Sequence, residues 1–286
     1  MDVFGQYKNR SPEEFQRLVG ISKGTYLILL DKFVNEIAIY KEELWTRKLG
    51  NKSSISIDNQ LLIYLLHLRN YDTYLNLGMR FGISESYAYK RCKFTEMILL
   101  RCLDCPDVDC LKTSIESNLI AVDVCEQEIE RPVEGQKEYY SGKKKRHTIK
   151  VFIVACVLTG LIKGIWFAKG AVHDFKMLKN KNPELAEDIT ILADLGFLGI
   201  QHLYSKCIIP HKKSKNKPLT KEQKEENKSQ ASNRVVVEHL NRCCKIFRIC
   251  SSRFRGKHKN YDKNWGNVSA IVNLKKATNH MKYTEF

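Results

Sequence analysis

Apolar residues recur at helical spacing through the first part of the chain, and in short branched runs through the second. Residues 11 to about 112 read as helical. Ser11-Pro12-Glu13-Glu14 opens a helix with a capping box and a proline at its first position. A second helix covers roughly 58–69, where Leu61, Leu62, Leu65, Leu66 and Leu68 supply the spacing. Segments 73–81 and 85 to about 100 flank Gly82-Ile83-Ser84, a tight turn whose serine is placed to cap the next helix. This is a helix-turn-helix pattern near residues 61–100, with a fainter echo at Leu18-Val19-Gly20-Ile21-Ser22.

From about residue 117 the pattern turns to strands. Runs at 119–123, 148–158, 161–167 and 189–194 predict at least four, with Thr159-Gly160 as a hairpin turn. Helices are expected over 172–178 and 231–250. Strand, hairpin, helix, strand, helix is the order of an α/β domain, a mixed sheet with flanking helices. The predicted division is therefore an all-α region over 1–112 and an α/β domain over 117–286. Between them in character lies 211–230, where a basic, mobile loop over 211–218 precedes Thr220-Lys221-Glu222-Gln223, a second capping box.

Two strand runs end in an acid, Asp123 and Asp194. A carboxylate at the end of a buried run needs a partner, since an unpaired buried charge is costly. On the 231–250 helix, Val237, Leu240, Cys244 and Phe247 share an apolar face, while Arg234, Glu238, Arg242, Lys245 and Arg248 occupy another. Glu238 is then either the i,i+4 partner of Arg234, an interaction of a few tenths of a kcal/mol, or a metal ligand. In the second case Arg234 and Lys245 hold phosphates. Two strand-end acids and one on a helix suit a pair of hydrated Mg²⁺ ions.

Charge directs this chemistry toward a polyanion: the formal net charge is +16 and the isoelectric point about 9.3. The second helix of the helix-turn-helix would present Ser86, Tyr89, Lys90 and Lys93 to a groove and its phosphates, unless the pair is an ordinary packing hairpin. Lys143, Lys144, Lys145 and Arg146 either track a DNA backbone or form a solvated turn. Arg131 is a candidate phosphate contact that Glu126 could orient. The ten cysteines read as free thiols, and Cys102-x2-Cys105-x4-Cys110 lacks the fourth ligand of a structural zinc site. No apolar run nears the ~20 residues of a membrane span, and the first residues lack a secretory layout. A soluble cytoplasmic protein, nucleoid-associated through its charge, is expected.

Several of these segments together resemble a family. Arg234-x3-Glu238-x6-Lys245 is similar to the carboxyl-terminal signature of DDE transposases of bacterial insertion sequences, in the group related to PIF/Harbinger elements. Asp123-Val124-Cys125-Glu126-x2-Ile129-x-Arg131-Pro132 resembles the first aspartate motif, and Asp194-Leu195-Gly196-Phe197-Leu198-Gly199 the second. The basic stretch 140–148 and Val172-His173-Asp174-Phe175 match in order. Ala231 and Cys125 stand where a tyrosine and a threonine are common, and neither position is a metal ligand. The resemblance implies an RNase H-like fold with Asp123, Asp194 and Glu238 as catalytic ligands of two Mg²⁺ or Mn²⁺. It further implies cleavage at terminal inverted repeats, strand transfer to target double-stranded DNA, and a homodimer in the synaptic complex. An inactive DNA-binding remnant, or a nuclease without strand transfer, stays open as an alternative.

Overall fold

A computed structural model of the chain describes residues 2–43, 54–113, 118–213 and 218–284. Two compact units are formed: Met1–Cys105 with Cys244–Ser252 and Gly256–Phe286, and Pro106–Cys243 with Arg253–Arg255. The first begins with helices α1 (Val3–Lys8), α2 (Pro12–Val19), α3 (Lys23–Glu43), α4 (Ile57–Asn70), α5 (Tyr74–Phe81) and α6 (Glu85–Cys102). At the start of α2 the capping box is complete: Glu14 N donates to Ser11 Oγ, and Ser11 N to Glu14 Oε2, both at 3.2 Å. Helix α4 is buried continuously from Asn59 to Leu68, which makes it the centre of this unit.

The expected helix-turn-helix is α5–turn–α6. Gly82 ends α5 in the left-handed region at φ 66°, and Ser84 Oγ caps α6 by accepting from Tyr87 N at 3.2 Å. The turn closes so tightly that a Cβ on Gly78 would stand 2.7 Å from the Ile83 carbonyl oxygen.

In the second unit a 3₁₀ turn (Val108–Lys112) precedes β1 (Leu119–Glu128). Then follow α7 (Gln136–Tyr139), β2 (Tyr140–Ser141), β3 (Arg146–Cys156), β4 (Ile162–Lys169), α8 (Asp174–Lys181), β5 (Thr190–Leu192), β6 (Cys207–Ile208) and α9 (Lys221–Lys245). β3 pairs antiparallel with β4, with the short β2, and with β1; β1 continues the sheet through a parallel step to β5 and then β6. A meander of three antiparallel strands followed by two parallel to the first, with helices alongside, is an RNase H-like fold. Ile120, Val122, Phe152, Val154, Trp166, Ile189 and Ile191 pack one sheet face against Met177 and Leu178 of α8. Alternation puts Ala121, Asp123 and Cys125 on the other face.

Three expectations are corrected here. β1 does not stop at Asp123; pairing with β3 runs unbroken from Ile120↔Cys156 to Glu128↔Thr148, which sets Asp123 mid-strand opposite Ile153. The apolar run ends there because the strand becomes half-exposed, not because pairing ceases. One long α9 runs from Lys221 to Lys245, not a new helix at 231, since no proline or glycine interrupts 221–245. That helix stops at Lys245, and Arg248–Cys250 is a 3₁₀ turn. Within the expected basic loop, residues 214–217 lie outside the described residues.

The last helix, α10 (Tyr261–Thr284), had no counterpart in the sequence reading and belongs to the helical unit. Asn267 Nδ2 there donates to Tyr64 Oη at 2.9 Å and to the Glu96 carbonyl at 3.1 Å, around a fully buried Trp265. The packed units thus differ from the sequence division at 112/117, which followed the change of period alone. Among the described residues no helix is long and apolar enough to cross a membrane.

Candidate active site

The parallel step of the sheet brings the two aspartates together. Leu119↔Thr190, Ile120↔Ile191 and Ala121↔Leu192 are in register, and the same offset continued by two residues sets Asp194 level with Asp123. Both therefore belong to the face that Ala121 and Leu192 share. β5 ends at Leu192, two residues before Asp194. Asp194 turns out of the strand and caps a 3₁₀ turn, its Oδ1 accepting from Gly196 N at 2.8 Å.

Helix α9 supplies the third wall. Asn241 Nδ2 donates to Asp123 Oδ2 at 2.8 Å, and Arg234 Nη2 stands 4.0 Å from Asp194 Oδ2. Arg234, Glu238, Asn241 and Lys245 fall at steps of four, three and four along α9, which is a single stripe. Glu238 lies between the two residues that touch the aspartates, and its side chain is exposed. Two polar atoms of this wall, Arg234 Nε and Asn241 Oδ1, are buried without a hydrogen-bond partner. Unsatisfied buried polar atoms of this kind are uncommon, and a ligand or ion is one of the reasons they persist.

Burial raises the Asp123 carboxyl above the ordinary carboxylate value; the Asn241 bond, the Val124 backbone and Arg234 oppose the rise, and the Asp194 charge adds to it. Two carboxylates whose charges repel, presenting oxygen donors, fit a hard divalent cation. Among the described residues no group of three acids, histidines or cysteines is gathered closely enough to hold a metal unaided. The structure thus joins Asp123 and Asp194, with Glu238 on the adjoining helical stripe rather than in contact.

The other sequence candidates sit elsewhere. Arg131 is held by Gln136, whose Oε1 accepts from Nε at 2.9 Å and Nη2 at 2.7 Å, and not by Glu126. Glu126 instead accepts from Thr148 Oγ1 at 3.0 Å and faces Lys150 at 4.0 Å. Lys143 and Lys144 are exposed in the turn between β2 and β3. On α6, Ser86, Tyr89 and Lys90 are exposed as expected, whereas Lys93 is paired with Glu96 at 2.6 Å. Lys245 is exposed at the end of α9. Asn241 was missed because a neutral amide carries no charge signal; its i+3 spacing from Glu238 was the available clue. The cysteines are thiols, not paired in disulfides.

A sheet of this topology with paired aspartates facing a helix-borne arginine is the framework of a nuclease-type enzyme. Residues 122–273 match the family model described as DDE superfamily endonuclease, and residues 53–104 match that of the helix-turn-helix of DDE superfamily endonuclease. The chain is 33% identical over 273 residues to the probable transposase for insertion sequence element IS702 of Microchaete diplosiphon, covering 94% of this chain and 97% of that protein. The chain belongs to the DDE superfamily of endonucleases.

Proposed function

We propose that this chain is the transposase of an insertion sequence, cutting DNA at the terminal inverted repeats of its element and joining the ends to target DNA. The observation that carries the reading is the register-matched pair Asp123 and Asp194 facing one stripe of α9. Asp123 and Asp194, with Glu238 as the third ligand, would hold two Mg²⁺ or Mn²⁺, which supply activation of water and stabilisation of the leaving 3′ oxygen.

Asn241 fixes Asp123 through Oδ2. Gly196 fixes Asp194 through Oδ1, and its Oδ2 faces Arg234. Arg234, with an unpartnered Nε, is placed to bind a phosphate beside the acids. Lys245 extends the cationic stripe along the DNA backbone, with Lys143, Lys144 and Arg131 as further phosphate contacts. Lys90 of α6 engages the repeat. The 3′-OH freed by cleavage then serves as nucleophile on the target strand, so no covalent enzyme intermediate is required. Joining two ends at once calls for a homodimer in the synaptic complex, acting in the cytoplasm at the nucleoid.

The test is cleavage of labelled DNA carrying the gene's own flanking ends, in Mg²⁺ or Mn²⁺, by wild type and Glu238→Gln. Metal-dependent nicking reduced at least ~10²-fold in the variant, with DNA binding retained, is the expected result. Equal cleavage by both proteins would remove Glu238 from the site. Binding without cleavage by either would leave a DNA-binding remnant.

A further inference from the structure

On the sheet face opposite the aspartates, a buried lysine is not accounted for by the chemistry above. Lys150, in the middle of β3, is among the few buried charged residues. Its Nζ donates to the Val172 carbonyl and to Asp174 Oδ1, both at 2.7 Å. Across the strand pair it faces Glu126 Oε1 at 4.0 Å, and Glu126 Oε2 accepts from Thr148 Oγ1 at 3.0 Å. The same segment is tied to β3 a second time, by Gly170 N donating to the Thr148 carbonyl at 3.0 Å.

Asp174, the first residue of α8, has its second oxygen turned toward the other aspartate's loop. A methyl placed on Gly196 would stand 3.7 Å from Asp174 Oδ2 and 2.9 Å from Asp194 Oδ1. Gly196 is thus flanked by both carboxylates, and its N–H is the donor that orients Asp194. Glu126, Lys150 and Asp174 form one charged chain, and its far end lies beside Gly196, the donor to Asp194. A cation buried inside a sheet is expensive unless fully paired, so such groups more often specify a conformation than add stability.

We propose that Lys150 is a positioning residue: it holds Asp174 so that the 194–197 turn keeps the Asp194 carboxylate level with Asp123. The proposal rests on the catalytic assignment of Asp194 for its consequence, but not for its geometry. Lys150 touches neither substrate nor metal. Asp174 is more exposed than the lysine that holds it, 32% against 10% for the side chains.

The experiment compares wild type, Lys150→Met, Asp174→Asn and the double variant by hydrogen exchange and by end cleavage. Exchange in peptides covering residues 190–200 should accelerate at least ~10-fold in each variant, while peptides from 119–128 keep the wild-type rate. Cleavage should slow at least ~10-fold at unchanged half-saturating DNA concentration, and the double variant should be no worse than the worse single one. Wild-type exchange over 190–200 in Asp174→Asn would overturn the proposal, as would equal acceleration throughout β1 and β3. Should Lys150→Met fail to fold, Asp174→Asn decides alone. Were the wild type unable to cleave, the transposase reading would fall, and the exchange result would still settle the positioning.

Discussion

Asp123 illustrates what a single residue gives up for chemistry. Its carboxyl is raised by burial, and Asp194 adds to the rise. In the metal-free protein the native state therefore takes up a proton there more readily than the unfolded chain. That contribution to stability is complete below the unfolded value and is lost as pH rises through the native one. Asp123→Asn, which mimics the neutral form, should thus raise the melting temperature in chelator at pH 7, by about 2–4 °C for each kcal/mol recovered. The gain should fade as pH falls through the carboxylate range, and melting curves at several pH values check both limbs. Asp123, Asp194 and Arg234, which the structure brings together, were legible in the sequence because an acid at the end of an apolar run and a basic stripe along a helix stand out. Asn241 was not, being neutral. Lys150 was hidden differently: it interrupts the run Ile149-Lys150-Val151, but its partner Asp174 lies on another element, and spacing within one segment cannot supply it.

At the scale of elements, local chemistry predicted local structure. The capping box at Ser11, the Gly82 turn and the Ser84 cap all appear as written in the sequence. The turn of the helix-turn-helix also shows which glycine matters most. Gly82 has open space around it, whereas Gly78 faces the Ile83 carbonyl oxygen across the turn. Gly78→Ala must push α5 and α6 apart, and should weaken binding to end DNA at least ~10-fold with loss of order on the order of 1–3 kcal/mol. A mobility-shift titration beside a denaturant melt would show it; undiminished affinity would mean that α6 does not meet the DNA. Strand lengths were less legible than strand existence. The extent of β1 is set by β3, a partner that begins after two intervening elements, and a half-exposed continuation such as Val124–Glu128 carries no apolar signal.

Over the whole molecule the charge of +16 is the dominant fact for binding. Each phosphate neutralised lowers the log–log salt slope by about 0.9, so affinity for end DNA should fall at least ~10²-fold between about 50 and 200 mM salt. A flat response in anisotropy titrations would contradict the assignment of the exposed lysines to phosphates. The assignment of α10 to the helical unit was beyond the sequence, because its partners, Tyr64 and Glu96, lie some 170 to 200 positions earlier in the chain. The shared register of β1 and β5 has a further consequence, for the length changes a copy of this gene can survive. Successive residues of a strand alternate faces, so the reactive centre has a parity. Loss or gain of one codon between Thr190 and Asp194 would swing the second aspartate into the layer of Met177 and Leu178, though every residue of the proposed site would still be encoded. Surface turns such as that between β2 and β3 carry no such constraint. Frame-preserving indels should therefore persist in those turns and be purged from the three codons between Thr190 and Asp194.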